Sequence, residues 1–139
     1  MARTTFNGPV VSQNGFIQGH QLTSANAINA TGTATAAQVA DGYITSTSAA
    51  ATTITLPTGT ALGNLLGASR GTVLDLFIDN TAGASTVTVA VNTNAVLSSA
   101  AVDTAGSFGD LTIASGATGV ARFTLMFSSA TAYTFTRTA

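Results

Sequence analysis

The chain has 139 residues and a mass of 13.7 kDa, the size of one domain with an arm. Its only charged residues are 4 Arg and 5 Asp, with no Lys or Glu, and its net charge is −1; that excludes the basic field a nucleic-acid binder needs. With 0 Cys there is no disulfide, thiolate nucleophile or Cys-ligated zinc, and no apolar run approaches the ~20 residues that span a bilayer.

Residues 1–41 read MARTTFNGPVVSQNGFIQGHQLTSANAINATGTATAAQVAD. The opening MARTTFNGPVV lacks the continuous apolar stretch of a secretory signal, so synthesis in a cytoplasm is expected. Large apolar residues fall in singles and pairs, and neither a 3.6 nor a 2.0 period persists. The stretch reads as an extended arm, with Phe6, Val10, Val11, Phe16 and Ile17 as docking anchors. A disordered tail is the plain alternative, but such a tail has no need of two Phe and two apolar pairs.

From Gly42 the pattern changes to strands. GYITST (42–47) and TTITLP (52–57) are rich in β-branched residues. Ile54 and Leu56 share one face, Thr53 and Thr55 the other. In TGTALGNLLGAS (58–69), Leu62, Leu65 and Leu66 have helical spacing. Thr58 or Thr60 can cap this short helix, Gly67 can stop it, and Gly63 weakens it.

GTVLDLFIDN (71–80) is the strongest strand. Leu74, Leu76 and Ile78 face one way, Val73, Asp75, Phe77 and Asp79 the other, so both faces are partly apolar and a central position is expected. Across the turn TAGA, STVTVAVN (85–92) puts Val87, Val89 and Val91 inward, and the two strands are expected to pair as a hairpin. Residues 95–110 give one short strand and a Gly-bounded loop, and LTIA a further strand. VARFTLMFS (120–128), with Phe123, Leu125 and Phe127 inward, and YTFTRT (133–138), with Tyr133 and Phe135 on one face, form a closing hairpin.

About eight short strands at this spacing point to an all-β domain at 42–139: an antiparallel β-sandwich or jelly-roll-like barrel with one short helix, preceded by the extended N-terminal arm 1–41. Ala, Thr, Gly and Ser number 26, 26, 14 and 12, and Thr is the default outward residue. Uncharged strand edges invite pairing with other chains, so edges and faces are expected to be covered by partners.

Little is present for chemistry. The single histidine, His20, lies in the arm beside Gly19 and reads as a surface or contact residue rather than a member of a Ser–His–Asp set. Asp75 and Asp79 share a strand face about 13 Å apart at ~3.3 Å per residue, too far to share a proton. A calcium site from Asp103 and Asp110 has no DxDxDG loop behind it. GTALGNLLGASRG lacks the P-loop lysine. No catalytic, cofactor-binding or metal residue is assigned, and the expectation is a non-enzyme. Arg70, Arg122 and Met126 are candidate subunit-interface residues.

The strings GYITSTSAAATTITLPTGTALGNLLGASRGTVLDLFIDNTAGASTVTVAVNTN and LTIASGATGVARFTLMFSSATAYTFTR resemble the small Ala/Thr/Gly-rich head decoration, or cement, proteins of tailed bacteriophages. The likeness covers roughly residues 42–138. It rests on the TLPT-led Leu-rich short helix, the FIDNTAG–TVTVAV hairpin and the final RFTLMFSSATAYTFTR hairpin. It implies an all-β module, commonly trimeric, on the outside of an icosahedral shell, with an arm that reaches across subunits. The implied partners are the major capsid protein and further copies of the chain, and the implied location is the capsid surface of the virion. The alternative is a head or tail-fibre module binding a host surface or glycan, a class of site built from exposed aromatics beside Asp or Asn.

Overall fold

The computed structural model describes residues 26–97 and 111–139. The arm anchors Phe6, Val10, Val11, Phe16 and Ile17, together with His20, Asp103 and Asp110, lie outside the described residues. The described chain is mostly β, with nine strands in two sheets: β1 (Gly32–Thr33), β2 (Tyr43–Thr45), β3 (Thr52–Thr55), β4 (Val73–Asp79), β5 (Val87–Ala90), β6 (Ala95–Leu97), β7 (Thr112–Ile113), β8 (Val120–Ser129) and β9 (Ala132–Arg137). Two helices, α1 (Ala36–Ala40) and α2 (Gly59–Leu66), and a 3-10 turn at Gly116–Thr118 complete it.

The four-stranded sheet runs β1-β3-β5-β7 and the five-stranded sheet β2-β4-β8-β9-β6. From β1 to β8 the chain alternates between them; the returns to β3, β4 and β5 keep the strand direction, whereas those to β7 and β8 reverse it. Hence β1–β3, β3–β5 and β2–β4 pair in parallel. The closing hairpin β8–β9 is antiparallel, as its sequence suggests, and inserts between β4 and β6. The expectation of an antiparallel fold is therefore corrected: both sheets are mixed. The expected hairpin of β4 with β5 is corrected too, because these strands lie in different sheets. Period-2 alternation tells which side chains face the core; it does not tell which strand lies alongside.

The alternation itself holds. Leu76 and Ile78 of β4, Phe123, Leu125 and Phe127 of β8, and Tyr133 and Phe135 of β9 point into one core cluster with Ile54 of β3, Val87 and Val89 of β5, and Ile113 of β7. That cluster joins the inner faces of both sheets. The Phe123 and Phe135 rings meet edge to face at 6.3 Å, a geometry favoured by the ring quadrupole. Burying each large side chain contributes roughly 1.5–3 kcal/mol. Val91 departs from expectation: β5 ends at Ala90, and Val91 is 51% exposed.

Residues 26–41 belong to the folded unit, so the boundary placed at 42 falls inside it. Ala27 bridges Thr45, β1 pairs with β3, and Val39 of α1 is fully buried. Thr35 and Gln38 form a capping box: the Thr35 side chain accepts from Gln38 N–H at 3.2 Å, and the Gln38 side chain accepts from Thr35 N–H at 2.9 Å. An element of 5 residues is too short to display a period.

Helix α2 matches its sequence signals. Thr58 Oγ1 accepts from Ala61 N–H at 3.2 Å, and Gly67 ends the helix in the left-handed region at φ 57°. Gly63 has a role beyond weakening it. A Cβ there would overlap the Ala130 carbonyl oxygen, so only glycine lets α2 lie on the β8–β9 turn.

Polar clamps tie the two sheets at their ends. Asn80, after β4, donates through Nδ2 to the carbonyls of Ser85, Ile113 and Ala114 at 2.8, 3.2 and 3.1 Å. Tyr133 of β9 donates its hydroxyl to Pro57 O at 2.7 Å. Burial pushes the Tyr133 phenol well above the usual tyrosine range.

Candidate interaction face

Strand β4 sits between β2 and β8, with its outward residues in register with theirs. Along the outer face of the five-stranded sheet, Val73 lies beside Met126, which neighbours Thr134 and then Val96. The next row holds Asp75, Thr124 and Thr136. The third holds Tyr43, Phe77 and Arg122, and the fourth Thr45, Asp79 and Val120. Eight large apolar side chains are exposed among the described residues, and six of them are on this face: Tyr43, Val73, Phe77, Val96, Val120 and Met126. Leu65 on α2 and Val91 are the other two.

The polar groups between them are held by one another. Thr124 Oγ1 donates to Asp75 Oδ1 at 2.6 Å. Tyr43 OH donates to Asp79 Oδ2 at 2.6 Å, while Asp79 Oδ1 accepts from the Thr81 hydroxyl at 2.6 Å and Thr81 N–H at 2.9 Å. Hydrogen bonds from Thr81 and Tyr43 hold the Asp79 carboxyl below its ordinary range, and the bond to Asp79 raises the Tyr43 phenol. Arg122 Nε donates to Thr138 Oγ1 at 2.9 Å.

Two of the three candidate interface residues, Arg122 and Met126, thus share one surface. The third, Arg70, lies in the turn before β4, where its Nε donates to Ser128 O at 3.3 Å. Sequence reasoning did not single out Tyr43, Val73, Phe77, Val96 or Val120. One signal was available for Val73 and Phe77, since the strand 71–80 is apolar on both faces, and a central strand explains only one of them.

Among the described residues no group of three His, Cys, Asp or Glu is placed to hold a metal ion. Each carboxylate on the face accepts from a hydroxyl. What the arrangement offers is contact: apolar side chains in rows, separated by hydroxyl–carboxylate pairs. Large apolar side chains gathered on one sheet face make it the candidate interaction site. Comparison with protein-family models, curated proteins and solved structures finds no match to this chain.

Proposed function

We propose that this chain is a structural virion protein. It binds the outside of an icosahedral phage capsid and stabilises it by bridging major capsid protein subunits. The two sheets and their shared core act as a β-sandwich module, copies of which cover the shell. The observation that carries this reading is the outer face of the five-stranded sheet, with six exposed large apolar side chains in a chain that has 9 charged residues. A surface so apolar and thinly charged is a solubility liability in a free monomer and an asset in a coat.

A shell under internal pressure fails when its subunits separate. A small protein bridging several subunits must lose its own contacts before they part, and multiple copies multiply weak contacts through effective concentration. The arm at residues 1–25, with Phe6, Val10, Val11, Phe16 and Ile17, supplies a second contact: adding its backbone to a capsid strand gives hydrogen bonds with little demand on side chains.

The test is co-sedimentation with purified shells. Binding at a copy number matching the shell's three-fold sites is expected, with a sharp fall on deleting residues 2–20 while circular dichroism stays unchanged. A chain that never sediments with shells removes the reading. A second reading, glycan binding, gains from the Tyr43–Phe77 pair beside Asp79. Specific binding on a glycan array that is lost in Tyr43→Ala would put it first.

A further inference from the structure

We infer that the outer face of the five-stranded sheet binds a second copy of this chain, face to face, about a two-fold axis running between β4 and β8 parallel to the strands. This goes beyond shell binding and does not depend on it.

The inference rests on what the operation places opposite what. Such an axis lays β4 of one copy over β8 of the other at the same level. Val73 then meets the second copy's Met126, Asp75 meets its Thr124, and Phe77 meets its Arg122, because these are the pairs already in register within one chain. These three rows are each complementary to themselves: apolar on apolar, carboxylate on hydroxyl, ring face on guanidinium; the fourth sets Asp79 against Val120. Stacked sheets align within about 30° at a separation of about 10 Å, which keeps these rows in reach.

Charge supports the same occupant. Three of the chain's 9 charged residues, Asp75, Asp79 and Arg122, are on this one face. An isologous contact uses the same patch twice and must therefore carry both signs, as this patch does. A face of one sign would call for a partner of the other.

Area sets the strength. The axis lays β2 and β4 over β9 and β8 and leaves β6 outside; four strands about 4.8 Å apart and seven residues at about 3.3 Å give a footprint of roughly 450 Å². Two such faces bury about 900 Å², in the range of weak, transient contacts, so the pair is reversible and depends on concentration.

Sedimentation equilibrium of the full chain from micromolar to near-millimolar concentration tests this. A reversible dimer is expected. In Val73→Asp/Met126→Asp the facing pairs become like charges, and the dissociation constant should rise at least roughly tenfold. In Val73→Lys/Met126→Asp the two-fold sets Lys on Asp, and association should recover relative to the double Asp chain. Thermal melts of both variants verify that they fold. A monomer throughout, a trimer, an oligomer indifferent to these substitutions, or no recovery in the Lys/Asp chain overturns the inference. Shell co-sedimentation is measured separately: a dimer that ignores shells leaves this inference standing and removes the coat-protein reading, and a monomer that coats shells does the reverse.

Discussion

The two sheets share a core and the same alternation, yet their outer faces differ. On the four-stranded sheet the outward positions are Thr53 and Thr55 of β3, Thr88 and Ala90 of β5, and Thr112 of β7, with Thr53, Thr88 and Thr112 in one row. On the five-stranded sheet the same positions hold Val73, Phe77, Val120 and Met126. Threonine suits a strand through its branched Cβ and meets water with a hydroxyl. Bulky apolar residues suit a strand as well, but outside the core they meet water at a cost. The difference teaches that one face is built to stay wet and the other to be covered.

The largest expected effect ignores that difference. Phe123→Ala opens a cavity beneath both sheets and should cost about 3–5 kcal/mol, seen as a large fall in the denaturation midpoint. If only one sheet melts, the shared core is wrong. Next comes Asn80→Ala, which leaves the carbonyls of Ser85, Ile113 and Ala114 without this donor where the sheets meet. A loss of about 1–3 kcal/mol is expected in urea unfolding, and none at all would show that the clamp is idle.

A smaller effect concerns pH. The Asp79 carboxyl is held low in the folded chain, so its contribution to stability is present above the ordinary carboxylate range near pH 4 and is lost as pH falls through the lowered folded value. Tyr43 has the opposite sign: its folded value is raised, so its contribution is full below about pH 10 and fades as pH rises through the folded value. Both groups are exposed, so the changes are modest. Tyr43→Phe should shrink the acid loss and remove Tyr43's share of the alkaline one, leaving that of the buried Tyr133, in melts across the pH range. The smallest effect on stability sharpens the comparison most. Val73→Thr/Phe77→Thr/Met126→Thr gives the five-stranded face the chemistry of its neighbour. Each change at an exposed site should shift stability by under about 0.5 kcal/mol, while solubility rises. A large loss of stability would show that these side chains serve the fold rather than a partner.

Much of the interior was legible in the sequence. Alternation in VLDLFID and VARFTLMF picked out Leu76, Ile78, Phe123, Leu125 and Phe127 as core, and Thr58 and Gly67 marked the limits of α2. The hairpin β8–β9 was legible because its partners are joined by only two residues, Ala130 and Thr131. Pairings that span a whole excursion through the other sheet were not, since nothing local encodes which strand lies alongside. β1 has 2 residues and β2 has 3, too few for any period. Nor did spacing reveal Gly63, whose reason is a carbonyl 67 positions later in the chain, at Ala130. For the interaction face, Arg122 and Met126 were within reach of sequence reasoning. The aromatic pair Tyr43–Phe77 was not, because it forms only once β2 and β4 align in parallel.

The insertion of β8 and β9 between β4 and β6 has a consequence for biosynthesis. While the ribosome is still working upstream of Val120, β4 has β2 on one side and a bare backbone ladder on the other. Strand β6, although already made, has no seat, because its neighbour β9 does not yet exist. The nascent chain thus carries an unguarded sticky edge, without one lysine to deter a stray strand. Slower translation over the stretch before Val120 is therefore expected to lengthen the time this edge stays uncovered.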